Sequence, residues 1–268
     1  MTSNNEQRIG VFGGSGFYDL LDHAEERAVD TPFGSPSSPV MLGEYKGKKV
    51  AFMPRHGKTH DYPPHKVPYK ANVWAMKEVG VTQIIAPSAS GSLQTEMKPG
   101  DFVIVDSFVD RTKQRDETYF DGPDVAHMHC GDVYCPDLRE LAAQGCKELG
   151  YSFHDRGTVV VIEGPRFSTR AESKFYTAQG WDVINMTQYP ENILAAELGM
   201  CYVNVSMVTD YDVGLEQNAN IKSSGIDEIM ATFKDNNEKV KKLIFTMIEQ
   251  LKEKPTCACS KKPDEAKI

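Results

Sequence analysis

No stretch of this chain approaches the roughly 18 uncharged apolar residues that a membrane-spanning helix requires. Met1 to Arg8 is polar rather than signal-like, so a cytoplasmic location is the expectation. Basic excess is missing too: 30 Lys and Arg stand against 38 Asp and Glu, a formal net charge of −8, with a pI near 5.4. That balance excludes the concentrated basic face of a nucleic-acid-binding protein, although a small anion can still bind through a few local donors. The chain has no internal repeat, and no linker rich in Pro, Gly or Ser divides its 268 residues. One domain over residues 1–253 is therefore expected, with 254–268 as a flexible tail. The full GxGxxG and GxxxxGK[ST] phosphate-binding patterns are also missing. Cysteine is limited to six residues. Cys130, Cys135, Cys146 and Cys201 fall within the domain, and Cys257 and Cys259 form a CxC in the Lys-rich tail. A mesophile's cytosol keeps such thiols reduced, whereas intracellular proteins of some hyperthermophiles carry disulfides, so composition leaves the redox state open.

What is present alternates between strand and helix signals. Strands are expected at Arg8 to Phe12, Thr82 to Pro87, Phe102 to Phe108, Thr158 to Ile162 and Val183 to Asn185, with a hairpin from Pro39 to Met53 across Lys46-Gly47-Lys48. Helices are expected near Val73–Val79 and at Pro136 to Leu149, Arg170 to Gln179, Pro190 to Leu198 and Ile226 to Glu253. This alternation indicates an α/β domain with a mixed or mostly parallel sheet.

The run Val203-Asn204-Val205-Ser206-Met207-Val208-Thr209-Asp210-Tyr211-Asp212 reads as a buried strand that delivers two carboxylates at its C-terminal edge. Strand ends of this kind are where α/β enzymes assemble their sites. Other strand ends carry anion donors. Gly13-Gly14-Ser15-Gly16 is a small-residue turn with a hydroxyl. In Arg55-His56-Gly57, Arg55 offers a guanidinium for an oxyanion and His56 a ring N–H. Ser88-Ala89-Ser90-Gly91-Ser92 adds further hydroxyls. Glu163-Gly164-Pro165-Arg166-Phe167 and Asn185-Met186-Thr187 supply an aromatic face in Phe167, an apolar surface in Met186 and another hydroxyl in Thr187.

This ordered set of blocks resembles the trimeric purine nucleoside phosphorylases, from about Arg8 to the final helix. The resemblance implies a single α/β domain whose mixed, twisted sheet curls toward a barrel flanked by helices. It implies phosphorolysis: inorganic phosphate attacks C1′ of 5′-methylthioadenosine, releasing adenine and 5-methylthioribose 1-phosphate. By the same similarity Ser15, Arg55, His56, Ser88 and Thr187 hold phosphate. Met186 and Asn185 lie near the ribose, Phe167 lies against the base, and Ala89 lines the purine pocket through its backbone. His127 reaches a neighbouring subunit's site, which requires a homotrimer or a dimer of trimers. Family members differ in places: Ser88 and Ser90 stand where some have Thr and Cys, and Ser88 keeps the hydroxyl.

The chemistry of the residues points the same way. Cleaving an N-glycosidic bond puts positive charge on the sugar and negative charge on the purine, so an acid is needed at N7. Asp210 is the expected donor, because burial beside Asp212 raises one pKa of such a pair by desolvation and like-charge coupling. A carboxylate also accepts from the 6-amino group of adenine, whereas 6-oxopurine members of the family tend to have Asn here. Three rivals remain: a 6-oxopurine or methylthioinosine phosphorylase, a dinucleotide-dependent oxidoreductase using the Gly13–Gly16 turn, and a non-catalytic nucleoside-binding protein. His127, His129, Cys130 and Cys135 superficially resemble a zinc site, but no second paired cluster accompanies them and the family uses no metal. Neither a metal nor an organic cofactor is expected.

Overall fold

Successive side chains of a strand point to opposite faces, so a strand buried on both faces reads as an unbroken apolar run. The computed structural model, which describes residues 7–13, 21–217, 226–252 and 255–267, shows how those runs assemble. Its strands are β1 (Arg8–Phe12), β2 (Asp22–Arg27), β3 (Val40–Tyr45), β4 (Lys48–Met53), β5 (Val81–Ser92), β6 (Phe102–Ile104), β7 (Ser107–Arg111), β8 (Phe153–His154), β9 (Thr158–Ile162), β10 (Val183–Asn185) and β11 (Cys201–Tyr211). Its helices are α1 (Tyr69–Glu78), α2 (Pro136–Glu148), α3 (Arg170–Ala178), α4 (Gln188–Glu197), α5 (Ile226–Gln250) and α6 (Lys262–Ala266).

The sheet is mixed, as expected, and it branches at β5 instead of closing. One arm runs β2-β3-β4-β1-β5 and continues through β10 and β9 to β7. The other leaves β5 through β11 to β6 and β8. The length of β5 permits this: Gln83 to Ser92 pair in parallel with β11, while Gly91 and Ser92 also pair antiparallel with β10.

Period-two alternation sorts the core into two layers. Phe12, Ile84, Ala86, Tyr202 and Val208 face one side, where Val73 and Met76 of α1 and Ile193 and Leu194 of α4 cover them. Val11, Ile85, Val203 and Val205 face the other, beneath Leu138 and Ala142 of α2 and Leu243, Ile244, Met247 and Ile248 of α5. Gly145 lets α2 and α5 approach closely, since a Cβ there would sit 2.7 Å from a Leu243 methyl.

The structure corrects several expectations. The strand expected to end at Pro87 runs on through Ser88 to Ser92 as the continuation of β5, held by its pairing with β10 and β11. The single strand expected over Phe102–Phe108 is two, because the chain changes partner: β6 pairs antiparallel with β11, and β7 pairs in parallel with β9. Asp106 fixes the break by exchanging hydrogen bonds with Gly157. All six residues of β2 are exposed and largely charged, so no apolar period announced it; charge on such an edge discourages pairing with other chains.

Residues 255–267 are not an open tail. Thr256 N–H, Thr256 Oγ1 and Cys257 N–H all donate to Asp137 Oδ2, at 2.8, 2.7 and 3.0 Å. Cys259 and Ala266 are buried, and Lys267 forms an antiparallel bridge with Ala126. A Lys-rich composition reads as solvated, but the anchors are backbone groups and cysteines, whose partners are remote in sequence.

Candidate active site

A cavity of about 710 Å³ opens where β1, β4, β5, β10 and β11 end. It is lined by Arg55, His56, Ser88 and Thr187 of the expected phosphate set, and by Ala89, Phe167, Asn185, Met186, Asp210 and Asp212 of the nucleoside set. Ser15 lies outside the described residues. His127 is exposed and does not line its own chain's cavity. A second cavity of about 650 Å³, bordered by Arg111, Glu163 and Phe175, contains none of the expected site residues.

Arg55 follows β4 and is buried, with its fork aligned by Glu191 of α4: Nε donates to Oε2 at 2.6 Å and Nη2 to Oε1 at 2.8 Å. Nη1 donates to the Pro87 carbonyl at 3.3 Å. Burial on its own would lower the Arg55 pKa, but attraction to Glu191 and the hydrogen bonds to it outweigh that, and the net direction is upward. Of five guanidinium N–H groups two stay unspent, enough for an anion in the cavity. Glu191 is fully buried, also accepts from Tyr202 Oη at 2.8 Å, and was not expected from the sequence.

His56 corrects an expectation. Burial pushes its pKa down to about 4, so the ring is neutral near pH 7. Its Nδ1 lies 2.8 Å from the Tyr62 carbonyl, which can only accept, so the proton is on Nδ1 and Nε2 is an acceptor. The ring therefore offers a lone pair, not a second N–H, and it stacks on His60 at 4.4 Å.

Ser88 belongs to a buried polar ladder between β5, β10 and β11. Its hydroxyl accepts from Asn204 Nδ2 at 3.0 Å and Asn185 Nδ2 at 3.2 Å, while Ser90 Oγ donates to Ser206 Oγ at 3.0 Å. With its lone pairs met by two amides, the Ser88 O–H has acceptors in the ladder only at 3.5 Å, in Asn204 Oδ1 and Ser206 Oγ. Its proton is thus available to the cavity. Thr187 is the N-cap of α4, but its side chain makes no capping hydrogen bond. Asn204 and Ser206 are polar residues inside an otherwise apolar strand, a signal the sequence displays and the expected site omits.

Asp210 and Asp212 close the opposite end. β11 pairs with β5 in the register Ser206↔Ser88 and Asp210↔Gly91, with an irregularity between Val208 and Asp210. An extra residue in one strand re-aims the side chains beyond it, and here Thr209 and Asp210 both reach the cavity although they are consecutive. Burial raises the Asp210 pKa to about 6; the hydrogen bond from Thr209 Oγ1, at 2.7 Å, opposes the rise and the charge on Asp212 adds to it. Asp212 lies just past the strand end, and both its carboxylate oxygens accept from Ser168 Oγ, at 2.8 and 2.6 Å. Phe167 stands at the rim with 68% of its surface exposed, beside this acid pair.

Arg115 was not foreseen either. Its guanidinium gathers the carbonyls of Ile162, Glu163 and Met186, at 3.3, 2.9 and 2.9 Å, and that of Tyr189. It ties the ends of β9 and β10 together and so fixes the Met186 side of the cavity. No motif marks it.

One end of the cavity offers charged and hydroxyl donors, the other a carboxyl able to hold a proton, and both lie at converging strand ends. The chain belongs to the phosphorylase superfamily, whose family model matches residues 8–249. It is 51% identical over 253 residues to the S-methyl-5′-thioadenosine phosphorylase of Pyrococcus abyssi, covering 94% of this chain and 96% of that one. It is 43% identical to the purine nucleoside phosphorylase of Streptomyces coelicolor, covering 94% and 91%. Among solved structures, methylthioadenosine phosphorylase from Schistosoma mansoni in complex with adenine matches with a TM-score of 0.90 at 32% identity, over 97% of this chain and 98% of the other.

Proposed function

We propose that the protein catalyses the phosphorolysis of 5′-methylthioadenosine to adenine and 5-methylthioribose 1-phosphate. The observation that carries this reading is a protonatable Asp210 in the same cavity as the Arg55–Ser88–Thr187 donor set. Arg55, Ser88 and Thr187 hold phosphate against C1′, and His56 Nε2 accepts the remaining proton of a monohydrogen phosphate. As the glycosidic bond breaks, Asp210 donates to purine N7, and general acid catalysis of this kind contributes on the order of 10² to 10⁴ in rate. Asp212, fixed by Ser168, faces the 6-amino group or orients Asp210. Phe167 covers the base, and Met186 packs against the ribose. No cofactor takes part; inorganic phosphate is the co-substrate.

The same proposal includes a homotrimer, or a dimer of trimers, in which His127 enters a neighbour's cavity. Its exposure and the open rim at Phe167 support this arrangement. It also includes a cytoplasmic location. Among the described residues, no helix is long and apolar enough to cross a membrane.

A second reading, 6-oxopurine phosphorolysis, is favoured by the name of the Streptomyces relative. A panel of methylthioadenosine, adenosine and inosine, each with and without phosphate, separates the two. Phosphate-dependent release of adenine, fastest from methylthioadenosine, is expected. Inosine as best substrate would establish the rival, and loss of nucleoside without phosphate would overturn both.

A further inference from the structure

Asn204 and Ser206 place polar side chains on a face of β11 that Tyr202 and Val208 give to the core, and both are fully buried. Neither lines the cavity, whereas Ser88, Ser90 and Asn185 beside them do. Burying an amide and a hydroxyl costs free energy unless each is hydrogen-bonded, and an apolar pair of similar shape can serve a fold as well. Val203, Val205 and Val208 show what this strand uses where only packing matters.

The direction of every hydrogen bond in the ladder follows from one acceptor. The parallel register sets Asn204 opposite Ala86 and Ser206 opposite Ser88. The Ala86 carbonyl can only accept, so the amide atom 2.8 Å from it is Asn204 Nδ2. The second hydrogen on Nδ2 goes to Ser88 Oγ at 3.0 Å. Oδ1 is then left to face Ser206, whose hydroxyl donates to it at 2.9 Å. With that proton committed, Ser206 Oγ accepts from Ser90 Oγ at 3.0 Å. Asn185 is oriented in a similar way from β10. Its Oδ1 accepts from the Thr187 N–H at 3.4 Å, which leaves Nδ2 to donate to Ser88 Oγ at 3.2 Å. Two amides thus fill the lone pairs of Ser88 and leave it a proton for the cavity. Ser90, two residues on along the same face of β5, has its proton committed to Ser206 and keeps lone pairs for the cavity.

We infer that Asn204 is a positioning residue: from outside the cavity it holds the Ser88 hydroxyl as a donor to phosphate, and Ser206 braces its amide against turning over. The inference rests on the phosphate role proposed above for Ser88. A serine hydroxyl rotates to suit its partners, and one turned inward would show a lone pair to the anion. Donation from Asn204 and Asn185 removes that alternative before phosphate arrives, so the donor needs no reorganisation on binding. The ladder has no ionised member, so it orients the donor without placing a charge beside the anion.

The test is a double-mutant cycle on the full chain. It is read as the KM for phosphate at saturating methylthioadenosine and the KM for methylthioadenosine at saturating phosphate. Ser88→Ala and Asn204→Val are each expected to raise the phosphate KM about tenfold, the loss of one hydrogen bond to a charged group, and the nucleoside KM less than about threefold. In Ser88→Ala/Asn204→Val the phosphate KM should stay about tenfold above the parent, because both changes remove the same donor. An increase of about a hundredfold in the double variant would mean that Asn204 acts apart from Ser88, and would overturn the inference. So would Asn204→Val with both KM values raised alike, or with neither changed. If Asn204→Val does not fold, Ser206→Ala decides: it should raise the phosphate KM about threefold in the parent and leave it unchanged in Ser88→Ala. No change in the parent, or the same increase in both backgrounds, would overturn the inference. Parent protein that releases no adenine with phosphate present would overturn the proposed function and this inference with it, a result distinct from normal turnover with additive variants.

Discussion

The two ends of the cavity are built on opposite plans. At the anion end three side chains are held by others: Arg55 by Glu191 and Pro87, Ser88 by Asn204 and Asn185, His56 by Tyr62. At the acid end Asp210 has one hydroxyl neighbour, Thr209, and Phe167 is largely uncovered. The difference follows from what each end must do. Phosphate keeps its charge and loses its water on binding, so donors that are already oriented cost no reorganisation. Asp210 must give a proton away and take one back, and a carboxyl fixed by several donors would be held ionised.

Removing the proton donor should have the largest effect. Asp210→Ala is expected to lower kcat by about 10² to 10⁴ while substrate binding changes little, because the proton matters mainly in the transition state. Equal losses in turnover and binding would end the acid assignment. The pH dependence tests the same group. The fold raises the Asp210 pKa from 3.8 to about 6, so it favours the protonated form. The stability this group contributes is complete below pH 3.8 and is lost as pH rises through about 6, and the acid-competent fraction falls over the same interval. At constant phosphate dianion concentration, kcat/KM for nucleoside should therefore decline above about pH 6, and Asp210→Asn should abolish that limb.

At the other end, Glu191→Ala leaves the buried Arg55 charge without its partner. A loss of about 3–5 kcal/mol in unfolding free energy is expected, and the KM for phosphate should rise more than that for nucleoside. A variant of wild-type stability would show that Arg55 is not held as described. Ser168→Ala should have a smaller effect: it removes the one hydroxyl shared by both Asp212 carboxylate oxygens, worth about 1–3 kcal/mol, and should weaken discrimination between adenine and hypoxanthine nucleosides. Phe167→Ala should cost least. Loss of one aromatic contact, about 0.5–1.5 kcal/mol, predicts a KM for methylthioadenosine raised about two- to twelvefold with kcat nearly constant. A large fall in kcat instead would place Phe167 nearer the reacting bond.

The readable parts of this molecule were those that depend on local pattern. The strand from Val203 to Asp210, the amphipathic run ending at Leu251 and the glycine at Lys46-Gly47-Lys48 all follow from period and turn chemistry, and the structure forms them. The cavity-lining blocks were legible because each is contiguous. Arg115 and Glu191 were not, since each acts on groups remote in sequence and neither stands in a distinctive local pattern. The branching of the sheet was equally silent: nothing in Ser88 to Ser92 says that a third strand will pair there. The chain end misled because its composition is that of a solvated segment, while a few remote partners, Asp137 and Ala126 among them, anchor it.

The parallel pairing of β5 with β11 sets the distance between anion and acid in whole residues, from Ser88 opposite Ser206 to Gly91 opposite Asp210. The working length of the enzyme is therefore counted by the backbone and cannot be tuned by side chains. Substitutions along this stretch adjust chemistry at a fixed span, whereas deleting Thr209, the residue without a partner between Val208 and Asp210, would remove the irregularity that re-aims the acid toward the cavity. New substrate preferences can arise here by exchanging residues, and almost never by adding or removing them.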